Sequence, residues 1–165
     1  FWLRTKEAFY ESLHKENQVT CWIGNHCWSI LVYPELEHHE IAMLKKKKAQ
    51  HYMVCTNNTE LDQWCSKFYQ QLKVNFLIKE TDVESDMAVF GDNIMQVYIP
   101  KEIKEKINLI FKNNKDTSDL DIAAFIRDIL NEKVEINLTL TKNKDFATAI
   151  KKQVMGFFNK NPSIA

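Results

Sequence analysis

The chain has 165 residues, and its 22 Lys plus Arg balance 22 Asp plus Glu, for a formal net charge of zero. That balance excludes a globally basic nucleic-acid binder, though not a local patch. A hydrophobic fraction of 45% with 12% aromatics excludes wholesale disorder and suits a single domain, and no apolar run reaches the roughly 18 residues of a membrane span.

Residues 2–14 are predicted helical, because Trp2, Phe9, Tyr10 and Leu13 fall on one stripe with Lys6, Glu7 and Glu11 outside it. Gln18 to Ile23 is a β-branched and aromatic run ending at Gly24-Asn25, which predicts a buried strand followed by a turn. Pro34 suits a first helical turn, so 35–47 is predicted helix, with Lys45 to Lys48 complementing the dipole at its end. Gln50 to Cys55 is the second strand, closing at Thr56-Asn57-Asn58. Thr59 and Asp62 have capping-box spacing, and Leu61, Trp64, Cys65, Phe68 and Leu72 then recur at helical intervals. Val74 to Ile78 is the third strand. Strand–helix–strand–helix–strand at these lengths implies right-handed crossovers and a parallel sheet.

The pattern then changes. Asp86 to Phe90 and Asn93 to Ile99 flank Gly91-Asp92, which predicts a hairpin added antiparallel to the sheet. Pro100 ends it. Ile103, Ile107, Ile110 and Phe111 mark a helix, Asn113 to Thr117 break it, and Ser118 and Asp121 are candidate caps for a second helix carrying Ile122, Phe125, Ile126, Ile129 and Leu130. Val134, Ile136, Leu138 and Leu140 alternate with polar residues, as in a half-buried strand. Phe146, Ile150, Val154 and Phe157 define a last helix, with Asn159 to Ala165 expected to fray. The fold class is therefore α/β, with a mixed, mostly parallel sheet of about six strands and helices on both faces.

The chain opens with Phe1-Trp2-Leu3 rather than Met, and shows no charged leader with an apolar stretch and cleavage site; it reads as a piece of a longer, cytoplasmic protein. Cys21, Cys27, Cys55 and Cys65 include no C-x-x-C pair, and reduced buried thiols are expected.

In an open α/β sheet ligands favour the carboxyl ends of the strands, so Asn25, His26, Cys27, Asn57 and Asn58 are the candidate ligand-binding residues; ordinary turn and cap work explains the same residues. Cys27 beside His26 raises a nucleophile and base, or a redox thiol, which needs exposure and a lowered pKa. His26, Cys27, His38, His39 and His51 match no zinc spacing, so no metal and no cofactor is expected. Glu35/Glu37 and Glu102/Glu105 read as solvent-facing carboxylates on charged helix faces, and Lys45 to Lys48 as a solvated helix end. Walker, G-x-G-x-x-G and H-E-x-x-H motifs are absent from the sequence.

Three stretches carry a family resemblance: Lys6 to His14 followed by Val19 to Gly24, then Ser85 to Met95 with its Gly91-Asp92 turn, then Leu138 to Ile150 and on through Val154 to Phe158. In this order the chain resembles the C-terminal effector domain of TrmB-like transcription regulators, whose fold is half-phospholipase-D-like. The resemblance implies a non-enzymatic module joined upstream to a winged helix-turn-helix that reads DNA and to a dimerising helix, a homodimer, a small-molecule effector, and no membrane. Residues 101–133 are a helical insertion beyond the family pattern, and the last helix ends in Phe157-Phe158 where the family has Trp. The H-x-K element of phospholipase D chemistry is missing around 86–99. The expected function is a ligand-sensing or oligomerising domain. The alternatives are a protein–protein module docking through the 101–133 helices, on Ile122, Ile126 and Ile129, and a Cys-based redox or metal sensor.

Overall fold

The computed structural model describes residues 15–131 and 133–159. The helix predicted over 2–14 lies outside them, as does the tail after Asn159. Strand β1 (Val19–Gly24) leads to a short helix α1 (Ser29–Val32), which the sequence did not announce, and to α2 (Pro34–Lys46). Then come β2 (Gln50–Cys55), α3 (Glu60–Gln71), β3 (Asn75–Ile78), and the hairpin β4 (Asp86–Phe90) and β5 (Asn93–Tyr98). Helix α4 (Lys101–Asn113) precedes α5 (Ile122–Phe125), which runs on as a π-helical turn, Ile126–Leu130. Strand β6 (Asn137–Lys142) and helix α6 (Lys144–Asn159) follow.

The six strands form one sheet in the order β3-β2-β1-β4-β5-β6. The α/β class and the mixed sheet are as expected, but the pairings are not mostly parallel. Only β1–β2 and β2–β3 are parallel; β1–β4, β4–β5 and β5–β6 are antiparallel. The reason is connection geometry. A parallel neighbour needs a crossover over a sheet face, which α2 and α3 provide. The two-residue turn at Gly91, whose φ of 59° suits glycine, instead folds β5 straight back on β4.

Period-2 alternation divides the core in two. Cys21, Val54, Val89 and Ile94 face Ala147, Ile150 and Val154 of α6. Met53, Cys55 and Phe76 face the other way, under Ile41 of α2, Leu61, Cys65 and Tyr69 of α3, Ile103, Ile107 and Phe111 of α4, and Phe125. Helices therefore cover both faces. Within 101–133, α4 and α5 contribute to the larger core cluster.

Three local expectations change. Glu37 is not solvent-facing; it is buried and accepts a 3.0 Å hydrogen bond from the Tyr69 hydroxyl. It lies four and seven residues before Ile41 and Leu44, which puts all three on the core side of α2. The last strand spans Asn137–Lys142 rather than 134–140, and most of it is exposed rather than half-buried. Phe146 is exposed, so the buried stripe of α6 is Ala147, Ile150 and Val154.

Candidate functional site

The carboxyl ends of β1 and β2 converge with α3 and α4 on a polar network. Gly24 ends β1 where a Cβ would collide with the Trp22 ring and lie 2.9 Å from Asp86 Oδ1, so glycine permits this close approach to β4. The next backbone N–H, of Asn25, donates to Asp86 Oδ1 at 3.1 Å. The Asn25 carbonyl accepts from Asn57 Nδ2 at 3.1 Å and lies 3.2 Å from Cys55 Sγ. The Thr56 hydroxyl donates to Asn25 Oδ1 at 3.4 Å.

His26 is the centre. Its ring is buried, with Nδ1 at 3.0 Å from both Asp62 oxygens and Nε2 at 3.0 Å from Asn108 Oδ1. One ring face stacks on Phe111, centroids 4.1 Å apart. Asp62, fully buried in the first turn of α3, is held in turn by the Thr59 N–H at 3.0 Å and the Thr59 hydroxyl at 2.8 Å, with Cys55 Sγ 3.4 Å away. The Thr59 oxygen also accepts from the Asp62 N–H, so the expected capping box is formed and one carboxylate serves both cap and histidine. With both ring nitrogens engaged, His26 in this state offers no free nitrogen for acid–base work and acts as a clamp between sheet, α3 and α4.

The five sequence candidates separate. Asn25, His26 and Asn57 share the network. Asn58 is on the exposed rim, donating to Glu80 Oε1 and accepting from Gln63 Nε2, each at 3.1 Å. Cys27 is buried in the core beside Cys55, whose thiol borders the network. Burial pushes its thiol well above the usual range, and the neighbouring Cys55 adds to this. Burial likewise raises Cys65, and holds Cys21 at about 12. All four cysteines are buried and free. Cys27 is thus neither the exposed, readily ionised thiol that a redox sensor needs nor aligned with His26 as nucleophile and base.

His26, His38, His39 and His51 do not converge. His38 and His39 are exposed on α2, and His51 Nδ1 is 2.7 Å from the Thr20 hydroxyl. Among the described residues no group of three or more His, Cys, Asp or Glu side chains is placed to hold a metal ion.

Sequence reasoning missed Asp86, Asn108 and Phe111 as site residues, and saw Asp62 only as a cap. Asp86 is half-buried at the start of β4. Burial pushes its carboxyl up to about 6, against the downward pull of the Asn25 N–H, Lys104 and His26. Lys104 itself donates to the Val83 carbonyl at 2.9 Å. An acid opening an apolar strand was the available signal for Asp86. Asn108 lies on the polar face of α4 and carried none.

A separate concavity of about 40 Å³ lies between α2 and the sheet, lined by Cys27, Ser29, Glu37, Glu40, His51 and Tyr69 among others. It has room for about three waters, not for a metabolite. Burial and the adjacent Glu37 push the Tyr69 hydroxyl well above its ordinary range.

Neither a family model nor a curated protein matches the chain. A TrmB-like protein is among its structural neighbours. That structure is described as TrmBL2, an archaeal chromatin protein with a novel mode of DNA binding. Sequence identity is 9% and the TM-score is 0.47, over 95% of this chain and 49% of the other, so the chain spans about half of that protein's length. At this score and identity the likeness carries no argument about function. No helix among the described residues is long and apolar enough to cross a membrane.

Proposed function

We propose that the chain is the non-enzymatic effector domain of a TrmB-like winged-helix transcription regulator. The ordered sequence resemblance, which runs from the first strand through the Gly91-Asp92 hairpin to the closing helix, supports this reading. So does the way the strand-end crevice is built. One observation carries it: Asn108 and Phe111 of α4 close over His26, so the place where an α/β sheet would take a ligand is roofed by another element of the chain itself. An effector that competes for Asn25, His26 or Asn57 binds the open and closed positions of α4 unequally, which is what a signal to an attached DNA-binding domain requires. Thermal unfolding against a panel of small metabolites tests this. The expected result is a compound that raises the melting temperature by several degrees at saturating concentration and loses its effect in Asn57→Ala. A panel without any such compound, or one whose effect survives the substitution, counts against it.

A second reading, docking of a protein through the insertion, has one specific support. Leu109 of α4 is 58% exposed and Ile126 37% exposed. Of the three residues expected to form that face, Ile129 is instead buried and Ile122 half-buried. A melting shift obtained only with a protein, and abolished by Leu109→Lys, selects this reading.

A further inference from the structure

The sheet ends in two unlike edges. At one, β3 is four residues long, with Phe76 buried beneath α3. At the other, β6 hangs beyond both helical layers. Its neighbour β5 has Ile94, Met95 and Val97 buried, but every residue of β6 except Leu138 is exposed. Among the described residues nothing pairs with its outer edge. Leu140 is 44% exposed and Ile136, just before the strand, 45%. Natural edge strands are usually guarded by Pro, inward charges or bulges. In β6 the one residue of this kind is Lys142 at its end; Asn137 to Thr141 carries no Pro and no charge.

We propose that β6 pairs antiparallel with β6 of a second copy, across a two-fold axis at Thr139, to make one continuous sheet. Self-complementarity of the strand identifies the occupant. In this register Leu138 of one copy stands opposite Leu140 of the other, and both lie on the face shared with Met95 and Val97. Asn137 stands opposite Thr141, and Thr139 opposite itself, on the other face. Apolar residues meet apolar ones and hydrogen-bonding side chains meet their like, which are the favourable cross-strand combinations. Lys142 falls opposite Ile136, where its alkyl stem covers the isoleucine and its charge stays in water. The alternative pairing of β6 with β3 of another copy is heterologous and leads to open chains, whereas the two-fold contact closes. The contact is small, so the dimer is a weak, reversible one. This inference rests on the strand alone and stands or falls independently of the effector reading.

Sedimentation velocity of the 165-residue chain tests it. The wild type is expected to dimerise reversibly. Thr139→Lys and Thr139→Glu each place like charges face to face and raise the dissociation constant at least ~10-fold at low salt. An equimolar mixture of the two variants restores the dimer. Far-UV circular dichroism checks that each variant is folded; if either charge at 139 unfolds the chain, Leu140→Lys mixed with Leu138→Glu reads the same register. A wild type that stays monomeric at its highest soluble concentration overturns the proposal. So does a dimer indifferent to Thr139→Lys, or charged variants that do not reassociate when mixed.

Discussion

Replacing Asp62 by Ala removes one carboxylate and orphans three donors at once. The His26 ring N–H, the Thr59 N–H and the Thr59 hydroxyl all point at it, and Asp62 and His26 are buried. Breaking a buried histidine–carboxylate contact by deleting one partner costs about 3–5 kcal/mol, because the other is left buried without its partner. Loss of the reciprocal half of the capping box adds about 1 kcal/mol. The two share one carboxylate, so they do not add fully, and about 4 kcal/mol is the expected total. For a chain of this length that corresponds to a melting temperature lower by about 12 °C. Urea unfolding followed by circular dichroism measures it, with an unchanged slope showing that the denatured state is not responsible. Asp62→Asn keeps one acceptor for the cap while losing the charge, and is expected to cost about half as much. If Asp62→Ala lies within about 0.5 kcal/mol of wild type, the clamp contributes nothing and the description of His26 as its centre is wrong.

The raised pKa of Asp86 fixes a pH dependence. An acid whose folded pKa is about 6, against 3.8 for the free group, binds its proton more tightly in the native state. Native stability therefore falls as pH rises from about 4 through 6, by up to about 3 kcal/mol. In Asp86→Asn that component is absent, so unfolding curves at pH 4 and pH 7 separate the two proteins only at the higher pH. Thiol titration of the native protein at pH 7 should show all four cysteines slow to react, with reaction following unfolding; fast labelling of Cys27 would revive the redox reading. Gly91→Ala should cost about 1 kcal/mol, read by thermal melting, since its φ of 59° is one that a Cβ disfavours.

The parts of the fold legible in the sequence were those set by local chemistry. The Thr59–Asp62 cap, the strand from Gln50 to Cys55 and the Gly91-Asp92 turn were readable because spacing and residue type suffice. Pairing was less so. Alternation over 134–140 announces a strand but does not say whether anything lies above or below it, and β6 is mostly bare. Glu37 was misplaced because a charged residue in a charged helix gives no sign of the tyrosine hydroxyl waiting for it on α3. Of the candidate site, Asn25, His26 and Asn57 followed from the rule about strand ends. Asn108 and Phe111 stand 82 and 85 positions beyond His26 and reach it only through the tertiary arrangement of α4. Cys27 follows His26 directly, yet its thiol is buried beside Cys55 and is not available to a ligand.

The clamp also bears on what can be cut away. Because Ile103, Ile107, Phe111 and Phe125 are woven into the main apolar cluster, joining Pro100 to Val134 by a short linker would not trim the protein to a leaner version of itself. It would strip the lid from Leu61, Cys65 and the histidine beneath. A segment so placed is a keystone, and the core cannot close without it or side chains that fill the same space.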